Sequence, residues 1–109
     1  MLYSELALLG YNMSLLGTKC MLEALKIMYY SDNLLLGKSI ARNIYPVIAK
    51  KFDISVNVVK GNVNYATSRM LKNAKNRDAI RSIRSSSKSN KIGVKTVLHY
   101  IIKKVKYNN

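Results

Sequence analysis

One proline in the whole chain, Pro46, and no sustained alternation of apolar and polar residues bounded by turns leave helices as the element that can organise this sequence. Apolar residues instead recur at three- and four-residue intervals, the period of a helix with one buried face. Six helices are expected. The first covers residues 2–9 and stops at Gly10. A second starts after Thr18, read as its N-cap, with Met21, Leu25 and Met28 along one side, and ends near Ser31, Asp32 and Asn33. The third begins at Leu34 or Ser39 and reaches Phe52, with Ile44, Ile48 and Phe52 in register. Pro46 interrupts it: either the helix kinks there, or a fresh helix begins with Pro46 in its first turn.

Asp53, Ile54 and Ser55 form a short break, and Ser55 is a good N-cap for a fourth helix over residues 56–72. Val56, Val59, Val63, Ala66 and Met70 make its apolar face, while Asn57, Lys60, Gly61, Asn64 and Ser68 face away. A short basic helix at residues 77–84 and a Ser, Lys and Asn loop over 85–91 follow. The last helix, 94–106, places Val94, Val97, Leu98, Ile101, Ile102 and Val105 on one face and Lys95, Lys103, Lys104 and Lys106 opposite. Taken alone it has the pattern of a membrane-surface helix, but a chain this small needs that stripe for its own core. The fold class expected is all-α, a single compact six-helix domain over 1–109, since 109 residues with 49% hydrophobic content support one core. Leu-Leu-Gly occurs at 8–10, 15–17 and 35–37 with unequal spacing and different surroundings, so it is not a repeat.

Charge narrows the function. Nineteen Lys and Arg against five acids give a formal net charge of +14, which points to an anionic partner. Residues 1–54 carry six cations and four acids, net +2; residues 55–109 carry thirteen and one, net +12. The bland alternative is a solvated, lysine-rich surface.

Several functions lose support. No basic segment followed by a long apolar stretch opens the chain, and no window approaches the ~20 apolar residues of a membrane span, so a cytoplasmic, nucleoid-associated protein without membrane contact is expected. Cys20 and His99 are the only residues of their kinds, and both read as packing residues rather than metal ligands or a nucleophilic pair. Glu5, Glu23, Asp32, Asp53 and Asp78 are scattered, and no glycine-rich phosphate loop is present. No enzyme, cofactor or metal is expected.

The short connection between the third and fourth helices has the spacing of a helix-turn-helix. A recognition helix needs donors and acceptors on its exposed side and cations on its flanks. Asn57, Lys60, Gly61 and Asn64 are the candidate base contacts, with Asn62 beside them; asparagine suits adenine, and Lys60 can reach guanine or a phosphate. Gly61 costs a helix about 1 kcal/mol relative to alanine, so either a close approach requires it or it has drifted there. Candidate phosphate contacts are Lys50, Lys51, Ser55, Arg69, Lys72, Arg77, Arg81 and Arg84. Most tyrosines fall within apolar faces, which argues against a stacking platform for RNA or non-specific packaging.

The stretch Gly17-Thr18-Lys19-Cys20-Met21-Leu22-Glu23-Ala24-Leu25-Lys26-Ile27-Met28, then Leu35-Leu36-Gly37, then Ile44-Tyr45-Pro46-Val47-Ile48-Ala49-Lys50-Lys51-Phe52, resembles the DNA-binding effector domain of a bacterial sporulation response regulator family, stage zero sporulation protein A. The Tyr-Pro-x-Ile-Ala-Lys-Lys-Phe segment is the most specific part. Val59, Val63 and Ala66 fit the next helix, the closing helix fits more loosely, and one extra residue lies between Gly37 and Tyr45. The resemblance implies six helices, the third and fourth forming a helix-turn-helix that binds promoter DNA, often in tandem copies or as a homodimer. It also implies a receiver domain ahead of the effector. No room for one exists in 109 residues, so a stand-alone domain not switched by aspartyl phosphorylation within the same chain is expected. Where the family pattern has Arg, Glu, Arg and Arg on the reading face, this chain has Val58, Lys60, Gly61 and Asn64. Two functions are therefore expected in competition: a DNA-binding transcriptional regulator acting on double-stranded DNA, and a protein-interaction module that modulates a larger, related regulator without specific DNA readout of its own.

Overall fold

The computed structural model describes residues 1–31, 40–73, 77–86 and 92–107, and within them the fold is all-α. The helices are α1 (Leu2–Leu9), α2 (Leu16–Tyr30), α3 (Ile40–Asn43), α4 (Tyr45–Phe52), α5 (Val56–Leu71), α6 (Arg77–Ser86) and α7 (Val94–Ile102), which runs on into a π-helical turn at Lys103–Tyr107. The expected end of the second helix at Asp32 and Asn33, the start of the third at Leu34 or Ser39, the Leu35-Leu36-Gly37 segment and loop positions 87–91 lie outside the described residues.

Local chemistry sets most helix ends. Gly10 closes α1 in the left-handed region, with φ 102°, where a glycine avoids the Cβ clash. Its N–H donates to the Ala7 carbonyl (3.0 Å) and the Tyr11 N–H to that of Leu6 (3.1 Å), the paired bonds of a Schellman stop. α2 starts at Leu16, upstream of the expected start after Thr18. The Asn12 side chain organises the turn before it, its Oδ1 accepting from the Ser14 N–H (3.0 Å) and hydroxyl (2.7 Å). Thr18 is consequently buried inside the first turn, and its hydroxyl caps nothing.

The choice at Pro46 goes to a fresh helix. α3 is a single turn, Ile44 separates it from α4, and Pro46 occupies the first turn of α4, where its missing N–H has no helical acceptor to serve. Asp53 ends α4 with φ 55°, and the Ile54 N–H reaches back to the Ala49 carbonyl (2.9 Å). Aspartate visits this region more readily than most residues with a side chain. Ser55 is extended, and its hydroxyl accepts from the Val58 N–H (3.1 Å), so it caps α5 as its sequence position predicts.

One cluster of buried side chains joins these elements: Leu6 of α1, Met21, Leu25 and Met28 of α2, Ile48 of α4, Val59, Val63 and Met70 of α5, Ile83 of α6, and Leu98 and Ile101 of α7. The apolar face expected at the end of the chain, Val94 through Val105, is buried there. Among the described helices none is long and apolar enough to cross a membrane. α5 runs through the middle, packed most extensively against α2 and also against α4 and α7. The α2 crossing is close enough that a Cβ on Gly17 would overlap the Asn62 carbonyl oxygen and lie 2.9 Å from Ala66 Cβ. Inside the core, the Tyr11 hydroxyl and Thr67 Oγ1 share a hydrogen bond of 2.8 Å. Burial pushes the Tyr11 phenol far up, so it stays protonated.

Candidate nucleic-acid interface

Because α5 buries Val59, Val63, Ala66 and Met70, its opposite side is fixed by helical geometry at about 100° per residue. Gly61 sits almost directly opposite that stripe. Asn57, Lys60, Gly61 and Asn64 are all exposed, as is Ser68. No described atom lies within 4 Å of where a Gly61 Cβ would stand, so nothing inside the chain requires a glycine there. Asn62 differs from its neighbours: it is only partly exposed, and its side-chain amide donates to the Val58 carbonyl of its own helix (2.8 Å).

Two exposed apolar residues flank the strip, Val58 at 42% and Tyr65 at 53% exposure; Val58 stands at one of the reading-face positions compared in sequence, and Tyr65 was not singled out there. The signal was available, because each follows a candidate asparagine by one position. Tyr65 also organises a cation: the Arg69 guanidinium donates to its hydroxyl (3.0 Å) and lies 5.7 Å from its ring centroid. Tyr3 and Tyr30 are exposed as well, so the expectation that tyrosines lie within apolar faces holds for Tyr11 and Tyr45 and not for these three.

The candidate phosphate contacts fall into three places. Lys50, Lys51 and Ser55 surround the connection between α4 and α5. Ser55 Oγ is already used as the cap acceptor. Lys51 Nζ is 2.8 Å from Glu23 Oε1, which Lys26 also approaches at 3.5 Å, so Lys51 is committed to tying α4 to α2. Partial burial acts to raise the Glu23 carboxyl, but the hydrogen bond from Lys51 and the two lysine charges outweigh it and hold the group below its ordinary range.

Arg69 and Lys72 stand at the far end of α5, beside a cleft of about 510 Å³ lined also by Gly10, Asn12, Met70 and Asn73. Asn12 enters from the α1–α2 turn and was not anticipated, since nothing local in sequence brings it next to residue 72. Arg77, Arg81 and Arg84 are exposed on α6, which packs chiefly on α7, so they are not gathered around the α5 strip.

Charge compensation is uneven. Glu23 engages Lys26 and Lys51, and Glu5 engages Lys104 at 2.9 Å, all on the side formed by α1, α2, α4 and the π turn. Among the described residues Lys60, Lys72, Arg77, Arg81 and Arg84 have no ion-pair partner, and no group of acids, histidines or cysteines is arranged to hold a metal. The arrangement therefore presents an acid-free helical strip of amide, ammonium and bare backbone, with Lys60 along it and Lys72 at its far end both uncompensated, and a separate set of uncompensated arginines on α6. Comparisons of the chain with protein-family models, with curated proteins and with solved structures give no match. The class that the fold defines is an all-α protein.

Proposed function

We propose that this chain is a DNA-binding transcriptional regulator in which α4, the Asp53-Ile54-Ser55 connection and α5 act as a helix-turn-helix. α5 enters the major groove with Asn57, Lys60, Gly61 and Asn64 towards base edges. Lys50, Arg69, Lys72, Arg77, Arg81 and Arg84 serve phosphates. The observation that carries this reading is the exposed, acid-free side of α5, opposite its buried stripe and bordered by cations that no carboxylate neutralises. Such cations lower the free energy of a polyanion complex by releasing condensed counterions. Double-stranded DNA in the cytoplasm is the partner, met by one copy or by copies in tandem.

Fluorescence anisotropy with a labelled duplex tests it. Six phosphate contacts make log K fall with log salt at a slope of about −5, a loss of about 10³ in affinity between 50 and 200 mM salt. Reversing charge at Lys60, Lys72 and Arg77 together lowers affinity and flattens that slope. Unchanged duplex binding in the triple variant refutes the proposal.

A specific observation favours the second reading, a module that modulates a related regulator. Val47, Val58 and Tyr65 are exposed apolar groups on α4 and α5, and protein interfaces reward such groups more than phosphates do. Co-purification with that regulator and no measurable duplex affinity are its expected results.

A further inference from the structure

We infer that the exposed face of α5 selects A·T base pairs in the major groove; this rests on the DNA-binding reading above. Each base pair asks for a different side chain there. Guanine is read best by a forked arginine on O6 and N7, cytosine by a carboxylate on its amino group, adenine by an asparagine or glutamine amide on N6 and N7, and the thymine methyl by an apolar group. Between Asn57 and Ser68 this face of α5 carries no arginine and no carboxylate. It carries two exposed asparagines, and on its flank, about 100° around the helix from the first, lies the exposed Val58.

Their spacing suits the task. Asn57 and Asn64 are seven residues apart, about 10 Å along the axis and nearly in line around it, at 1.5 Å and 100° per residue. That separation matches about three base-pair steps of 3.4 Å. Gly61 lies between them with open space above it, so the helix backbone can come nearer to the groove floor there than any side chain would permit, and two short amides can then reach base edges. The nearby groups able to blur this preference are accounted for. Asn62 spends its amide on the Val58 carbonyl. Arg69 is held by the Tyr65 hydroxyl and ring, twelve residues from Asn57. Lys60 lies at the edge of the strip, and as a flexible point charge without arginine's fork it discriminates less between base edges than the two amides do.

Anisotropy measured at one salt concentration with the full chain tests this. The probes are duplexes of equal length whose central region is all A·T, all G·C, A·T with thymine replaced by deoxyuridine, or A·T with adenine replaced by 7-deazaadenine. Two asparagine pairs give the A·T duplex about 30-fold or more tighter binding than the G·C duplex. Removing N7 with 7-deazaadenine, or the amides by Asn57→Ala with Asn64→Ala, erases most of that ratio. Deoxyuridine, which lacks the methyl, costs a smaller part, and that part disappears in Val58→Ser. Lys60→Ala weakens all four duplexes alike. All of these positions are exposed, and an unchanged circular dichroism spectrum confirms that each variant is folded. Equal affinity for A·T and G·C centres overturns the inference while leaving DNA binding intact. An A·T preference that survives 7-deazaadenine also overturns it, since the preference then comes from duplex shape. No affinity for any duplex overturns the DNA-binding reading itself, and the inference with it.

Discussion

Replacing Gly17 by alanine adds one methyl group where α2 crosses α5. The new carbon would overlap the Asn62 carbonyl oxygen and stand 2.6 Å from the carbonyl carbon and 2.9 Å from Ala66 Cβ. Carbon atoms settle at about 3.5–4.0 Å, so the helices must separate by about 1 Å at this point. Overpacking of a core costs about 1–3 kcal/mol, and the upper end applies here because the obstacles are backbone and a Cβ, neither of which can change rotamer. Alanine returns at most about 1 kcal/mol of helix propensity. The net expectation is a loss of about 2 kcal/mol, and at about 4–8 °C per kcal/mol for a domain of this size, a Tm lower by about 8–16 °C. Gly61→Ala is the matched control. Its Cβ meets nothing, so it should gain about 0.5–1 kcal/mol and raise the Tm by a few degrees. Thermal and urea unfolding followed by circular dichroism measure both. A Gly17→Ala protein as stable as Gly61→Ala would refute the close crossing.

Other perturbations act on single contacts. Ser55→Ala removes the hydroxyl that accepts from the Val58 N–H and should cost about 1 kcal/mol in urea unfolding. Tyr11→Phe strands the buried Thr67 hydroxyl at a cost of about 1–3 kcal/mol, and adding Thr67→Val recovers part of it, as a double-mutant cycle would show. Glu23 has a lowered folded-state pKa, so its contribution is present above the ordinary carboxylate range and is lost as pH falls through the lowered value. Its lysine partners are about half exposed, which limits the pair to about 0.2–1 kcal/mol, and Glu23→Gln should flatten the acid limb of the stability profile by that much. His99 is also held below its ordinary value, by burial first and then by Lys95 and Lys103. Stability from its neutral form is present above the unfolded value and declines as pH drops towards the folded one. His99→Gln should remove this dependence around pH 6, and an unchanged profile would contradict it.

Much of the fold was written locally. α1 ends where Gly10 stops it, and α5 begins after Ser55, because caps and left-handed stops are decided by a few adjacent residues; its expected apolar face is buried at Val59, Val63, Ala66 and Met70 but not at Val56, which lies exposed in the first turn. The exposed strip of Asn57, Lys60, Gly61 and Asn64 follows from the same periodicity. Thr18 misled because hydroxyl residues also occur inside helices, and only the packing of α2 on α5 shows that this one is buried. Pro46 was compatible with two backbones until the break at Ile44 separated α3 from α4.

By itself, then, the sequence determined an all-helical chain, which residues line each helix face, and a strong excess of cations in the second half, since each depends on residues within one or two turns of one another. Only the tertiary structure decided that Gly17 is a glycine the fold requires and Gly61 is not, that Lys51 is tied to Glu23, and that Asn12 lines a cleft with Arg69 and Lys72. These outcomes depend on how closely segments distant in the chain approach. The order of residues alone does not set that distance until the side chains between them have packed.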